Sequence, residues 1–193
     1  MTTSILKSTS RGIETVHTED QLYSERKIFF TEEVNAYSAA ELIRLLSYLE
    51  KTGPKEEIGL YINSPGGEVS SGLAVYDVIS GLTCPVRTVC IGTAASMAAI
   101  LFLAGSVREM LPHSKIMIHD PLIDGLSGVR RALQLEKDAQ KLMKSRDILG
   151  GIIAERTGHT LEEVFELTGY DCYLDAEEAL QFGIATEIVN HFT

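Results

Sequence analysis

An α/β fold with a largely parallel sheet is what this sequence predicts, and three observations predict it. Short runs of β-branched and apolar residues alternate with helical periodicities along most of the chain. Two of those runs end in turn chemistry just ahead of a helical pattern, at Asn63-Ser64-Pro65-Gly66-Gly67 and at Gly92-Thr93-Ala94-Ala95-Ser96. Strand, helix and strand in succession are joined by crossovers, which pair strands in parallel. With 193 residues, the chain is long enough for one sizeable core and reads as a single domain, 1–193.

The elements follow in order. The first 25 or so residues carry Ser, Thr, Glu and Arg with little periodicity and read as an arm, mobile or ordered by a partner. Lys27-Ile28-Phe29-Phe30 is a first short strand. Ser38-Ala39-Ala40-Glu41 has the S-x-x-E form of a capping box, opening a helix to about Lys51 with Leu42, Leu45, Leu46 and Leu49 on one face. Ile58, Leu60 and Ile62 alternate in a strand that Pro65 and the paired glycines end. A helix from about Val69 to Ile79 follows, then a strand (Val86 to Ile91), a helix (Met97 to Ala104) and a strand (Lys115 to His119). From about Val129 to Arg156 the pattern is helical for about 28 residues, roughly 40 Å, too long for a core of this size. Part of it is expected to project or to pack on another subunit. Gly150-Gly151 lies within it, and each Gly costs up to about 1 kcal/mol relative to Ala, so a bend or fray is expected there. Thr160 to Glu163 is a second capping box, Asp175 to Glu178 starts a last short helix, and Ile184 to Val189 closes as a strand.

Composition excludes whole classes of function. Hydrophobic content of 45% with 23% charged residues is that of a soluble globular protein. The net charge of −10 argues against nucleic acid, whose phosphates are bound by clustered Lys and Arg. No apolar run approaches a membrane span, and the polar N-terminus lacks the apolar region of a secretory signal. Cys84, Cys90 and Cys172 show no metal-ligand spacing and fit a reduced cytoplasmic protein with neither disulfide nor metal. No G-x-x-x-x-G-K-[ST] loop is present, so any nucleotide hydrolysis belongs to a partner.

Chemistry concentrates at Ser96. Its hydroxyl stands among small residues at a strand-to-helix turn, where the first helical turn offers free N–H donors; a serine so placed is a candidate nucleophile. It needs a base, and five histidines compete. His17 is in the arm, His191 in the tail, His159 beyond a helix-ending glycine and His113 in a turn. His119 ends an apolar strand expected beside the one that feeds Ser96, and is chosen as the base. For the carboxylate that orients the imidazole, Asp120 is adjacent, but consecutive strand residues point to opposite faces and Pro121 redirects the chain. Asp171, in the apolar and aromatic stretch Tyr170 to Leu174, is the better candidate. The order Ser, His, Asp and the lack of a G-x-S-x-G elbow argue against an α/β-hydrolase. Oxyanion donors are expected from the backbone N–H groups of Met97, Gly66 and Gly67.

These segments, in this order, resemble the ClpP family of caseinolytic serine peptidases: YINSPGGEVSSGLAVYD, GTAASMAA, LPHSKIMIHDPL, AERTG and DCYLDAEEALQFGIA. The likeness covers most of the chain and is loose only over the first 25 residues and the middle of the long helix. It implies a ClpP/crotonase-like fold of repeated β-β-α units with a protruding handle helix, the handle region being about 123–157. It implies a homo-oligomer of two stacked heptameric rings around a chamber. It also implies Ser96 as nucleophile, His119 as base, Asp171 as orienting acid, and Gly66, Gly67 and Met97 at the oxyanion hole. Activity on peptides is expected from the rings alone. Activity on unfolded proteins is expected with a AAA+ unfoldase of ClpX, ClpA or ClpC type, which would supply the ATP chemistry. The arm is expected to line the axial pore and help dock that partner. An equilibrium between active and inactive assemblies is expected to turn on the packing of the long helix.

Departures from the pattern imply a divergent paralogue with a second ClpP subunit as partner. The family usually has Gln at Thr93 and Gly at Ala98, and reads HQPLGG where this chain has His119-Asp120-Pro121-Leu122-Ile123-Asp124. Two other readings therefore stand beside the peptidase: a weakly active regulatory subunit of a mixed ring, and a crotonase-type acyl-CoA enzyme.

Overall fold

The computed structural model describes residues 3–10, 12–122 and 131–191. The N-terminal segment corrects the reading of an aperiodic arm. It forms a hairpin of β1 (Ser4–Thr9) and β2 (Gly12–His17), paired antiparallel, followed by the short helix α1 (Thr18–Ser24). Leu6 and Ile13 are exposed on the hairpin. Because it buries no apolar face, nothing writes the period-2 alternation of a half-buried strand into its sequence.

Beyond it run β3 (Lys27–Phe30), α2 (Ala36–Thr52), β4 (Ile58–Ser64), α3 (Val69–Gly81), β5 (Val86–Ala95) and α4 (Met97–Leu103). Then come β6 (Val107–Met110), β7 (Lys115–Ile118), α5 (Ala132–Thr157), α6 (Leu161–Thr168), β8 (Cys172–Leu174), α7 (Ala176–Gln181) and β9 (Glu187–Ile188). The box at Thr160/Glu163 forms as read, and Asp175, read as the start of the last helix, caps it with a further box to Glu178. The one assigned to Ser38 and Glu41 does not. Asn35 caps α2, accepting from Tyr37 and Ser38 N–H groups, and Ser38 Oγ accepts from Asn35 N–H. Asn is among the strongest N-cap residues and comes three positions earlier, so the helix starts there.

Two strands besides the hairpin went unread. In β6, Arg108 occupies a buried position and hides the apolar pattern; its guanidinium donates to the carbonyls of Ile184 (2.7 Å), Gly183 (3.1 Å) and Arg156 (3.4 Å). β8 has three residues and no period to detect.

The sheet runs β3-β4-β5-β6-β9, all parallel. Along its other edge β5 changes partner. Residues Arg87 to Cys90 pair with β6, whereas Thr93 to Ala95 pair with β7, and β7 in turn pairs antiparallel with β8. The register of β4 against β5 shifts at the same level, and Asn63 Oδ1 accepts the N–H of Thr93 at 2.9 Å. A Cβ on Gly92 would lie 2.5 Å from that oxygen, so a larger residue there would push the Asn63 side chain off this bond. The core packs Ile58, Leu60 and Ile62 with Leu42, Leu46 and Leu49 of α2 and Val75 and Ile79 of α3. Every residue of α4 is buried, as a helix apolar on all sides must be.

In α5 only Leu149, Gly150 and Ile153 are buried, while Leu133, Leu135 and Met143 are exposed, so its N-terminal part stands off the core as its length predicts. The helix does not fray at Gly150-Gly151 but runs unbroken from Ala132 to Thr157. Gly150 is a contact point: a Cβ there would sit 2.5 Å from Phe165 Cε1 on α6. The expected helix start at Val129 and the atypical Ile123 and Asp124 lie outside the described residues.

Candidate active site

β5 ends at Ala95 and α4 begins at Met97, leaving Ser96 at the junction with φ 52° and ψ −122°. A non-glycine residue there carries about 1–3 kcal/mol of strain, so its surroundings must impose the conformation. Ser96 N–H donates to Met117 O at 2.7 Å, and Ser96 O accepts from Ala99 N–H at 3.0 Å. Gly66 backs the turn so closely that a Cβ on it would collide with Ala95 O and stand 2.8 Å from Met97 N and Ser96 Cβ. Gly72 leaves the space that Met97 fills. The sharp turn of a nucleophile elbow is thus built without the G-x-S-x-G motif.

His119 follows the last residue of β7. The pairing of Ala95 with Met117 sets the ends of β5 and β7 side by side, and His119 Nε2 lies 2.9 Å from Ser96 Oγ. Of the other candidates, His17 meets Ser4 Oγ on the hairpin, and His159 stacks on Phe182 beside Glu163. Ser96 and His119 are brought together.

Asp171 is placed near them but not joined to them. It precedes β8, and the last β7–β8 pair is Ile118↔Cys172, so Asp171 stands one step further, across from His119. The residue is exposed, and His119 Nδ1 is buried with no hydrogen-bond partner among the described residues. Asp120, set aside at the sequence level, is occupied elsewhere. Its carboxylate accepts from Thr168 Oγ1 (2.7 Å) and Arg146 Nε (2.6 Å). Beside Asp171, burial and then Glu178 hold the Cys172 thiol above the usual range.

The glycine pair divides its tasks. Gly66 N–H donates to Ser64 Oγ at 3.2 Å, and that hydroxyl donates to Glu32 O at 2.5 Å. Val34 N–H donates to Gly66 O and Glu68 N–H to Val34 O, both at 2.7 Å, forming a parallel bridge between Val34 and Gly67. In such a bridge the N–H of the central residue faces the opposite edge, so Gly67 N–H points away from Val34. A Cβ on Gly67, at φ 144°, would collide with Val34 O. Ser64 and Val34 were not singled out in the sequence, although Ser64 lies inside the SPGG motif.

A cavity of about 120 Å³ opens beside Ser96 and His119, lined by Val69, Met97, Ile100, Pro121, Leu149 and Ile153 among others. It has room for one side chain, whereas small-molecule and cofactor sites span roughly 300–1,000 Å³. A larger groove of about 580 Å³ lies elsewhere, between α1, β3 and α2, and holds no nucleophile–base pair. Among the described residues, no cluster of three or more His, Cys, Asp or Glu is arranged to hold a metal, and no helix is long and apolar enough to cross a membrane.

This arrangement, on an α/β fold whose parallel sheet delivers a strained serine to a histidine, agrees with the comparison to known families: the Clp protease model matches residues 10–192, and the chain belongs to the Clp protease family.

Proposed function

We propose that the chain is the proteolytic subunit of an ATP-dependent Clp protease, a serine endopeptidase. The observation that carries this is the 2.9 Å contact between His119 Nε2 and Ser96 Oγ at a strained turn facing an apolar cavity. His119 Nε2 takes the hydroxyl proton as Ser96 Oγ attacks the peptide carbonyl carbon. The carbonyl oxygen gains the charge and is met by Gly67 and Met97 N–H groups. Gly66, whose N–H serves Ser64, keeps the two donors close to the nucleophile. The imidazolium gives its proton to the leaving amine, and water, deprotonated by His119, releases the acyl group and restores Ser96. Asp171 accepts from His119 Nδ1 and fixes the tautomer once its side chain turns inward.

The cavity favours one apolar side chain of moderate size next to the scissile bond. By family membership, stacked heptameric rings form the enzyme, and a AAA+ unfoldase of ClpX, ClpA or ClpC type feeds it unfolded protein at the expense of ATP, in the cytoplasm. Labelling of the purified protein by a fluorophosphonate tests the reading: a label on Ser96 that Ser96→Ala abolishes supports it, and a label surviving at another residue rejects it.

One observation favours the second reading, a ring subunit that is weakly active alone. His119 Nδ1 is unpartnered among the described residues, which is what a subunit completed by its neighbours would show. Robust peptide hydrolysis by the pure protein, lost in Ser96→Ala, rejects this alternative. The acyl-CoA reading has no such support, because the cavity is far smaller than a coenzyme requires.

A further inference from the structure

Asp120 joins three elements at one carboxylate. Its backbone N–H donates to Thr168 O at 2.7 Å, Oδ1 accepts from Thr168 Oγ1 at 2.7 Å, and Oδ2 accepts from Arg146 Nε at 2.6 Å. Arg146 belongs to α5, and its guanidinium lies 3.5 Å over the ring of Phe165 on α6, the same ring that packs against Gly150. Thr168 ends α6, three residues before Asp171, and Asp120 directly follows His119. One charge-assisted junction therefore binds the segment carrying the base, the segment carrying its orienting acid, and the long helix.

The junction has the features of a device rather than a surface ion pair. Side-chain exposure is 23% for Arg146 and 30% for Asp120, and both carboxylate oxygens are used. Bonds to charged groups in a half-buried setting are worth more than exposed pairs. Pro121 on the far side stiffens the connection, so a shift of Asp120 is passed to His119.

We propose that Asp120 and Arg146 are positioning residues, forming a clamp through which the placement of α5 sets the alignment of His119 with Ser96 and with the Asp171 segment. This rests on the reading of Ser96 and His119 as a catalytic pair. The clamp touches no substrate. It acts by fixing the end of β7 against the start of β8, and a displacement of about 1 Å at a proton-transfer pair is worth on the order of a hundredfold in rate.

The test uses the full chain as Asp120→Asn, Arg146→Met, the double variant and Arg146→Lys, with two readouts. The first is the maximal rate and half-saturating concentration of fluorophosphonate labelling at Ser96. The second is hydrogen exchange of peptides covering β7 and β8. Each of the first two variants is expected to lower the maximal rate about tenfold with half-saturation unchanged. The double variant should be no slower than either single change, because the two residues act as one unit. Arg146→Lys should recover most of the rate, and exchange in β8 should quicken in Asp120→Asn. Wild-type labelling rates, additive losses or unchanged exchange would overturn the clamp. Should the wild-type protein itself take no label, the peptidase reading fails, while the clamp still stands or falls on the exchange of β7 and β8.

Discussion

One step beyond the last pair of the β7–β8 ladder, Asp171 comes opposite His119, yet among the described residues the buried Nδ1 of His119 has no partner and Asp171 is exposed. Directly opposed cross-strand residues have Cβ atoms only about 4.5–5.5 Å apart, a span that a carboxylate turned toward the imidazole would bridge.

Asp171→Asn is therefore expected to lower kcat on a fluorogenic peptide by about a hundredfold or more, since an amide leaves the imidazole in the wrong tautomer. The melting temperature should stay unchanged, because the residue is exposed. A variant with wild-type kcat would remove Asp171 from the site.

Two glycines should respond in opposite directions. Gly66→Ala places a Cβ against Ala95 O and forces φ 90° on a residue that avoids it, so a loss of about 1–3 kcal/mol is expected in urea denaturation, together with lost Ser96 labelling. Gly151 sits inside α5 with nothing within 4 Å of an added Cβ. Gly151→Ala should stabilise by roughly 0.5–1 kcal/mol and leave labelling intact.

What the chain disclosed before its structure was whatever depends on local patterns. The parallel strands, the caps at Thr160 and Asp175, and the serine at its turn all follow from neighbouring residues. The pairing of Ser96 with His119 was legible because adjacent strand ends follow from topology. What stayed hidden depends on distant partners. Arg108 disguises β6 because the carbonyls that accept its hydrogen bonds come from residues 48 to 76 positions away. The separate tasks of Gly66 and Gly67 depend on Val34 and Ser64, and the clamp at Asp120 depends on two helices that no local motif announces.

Arg108 gives a stability test. Its guanidinium serves the carbonyls that close α5 and precede β9, beside the Arg156 guanidinium, which donates to Leu103 O (2.7 Å) and Gly105 O (2.5 Å). Arg108→Met would leave three carbonyls unmet, a loss of at least about 3 kcal/mol at one kcal/mol or more per group. Calorimetry checks it, and an unchanged melting temperature would show that water replaces the side chain.

Cysteine chemistry supplies a pH test. Cys84 and Cys90 are buried, while Cys172 is half-buried with its thiol pushed up by burial and by Glu178. A raised value means less thiolate at any pH below it, so iodoacetamide should modify the native protein at pH 8 only at Cys172, and more slowly than it modifies glutathione. The rate should keep climbing above the pH at which glutathione levels off. Mass spectrometry of the alkylated protein decides, and modification faster than glutathione contradicts the assigned environment.

The bridge between Val34 and Gly67 leaves the other main-chain edge of Gly67 turned away from Val34, and Gly67 lines the cavity beside Ser96. On the proposed peptidase reading, such an edge would grip an extended polypeptide through groups that all sequences share, and the small cavity beside it would ask little of the side chain it receives. A site of that kind cannot distinguish a damaged protein from a sound one. On the proposed reading, discrimination would be exercised earlier, by whatever decides which chains arrive unfolded, and the chemistry at Ser96 would be an indiscriminate last step kept safe by restricted entry.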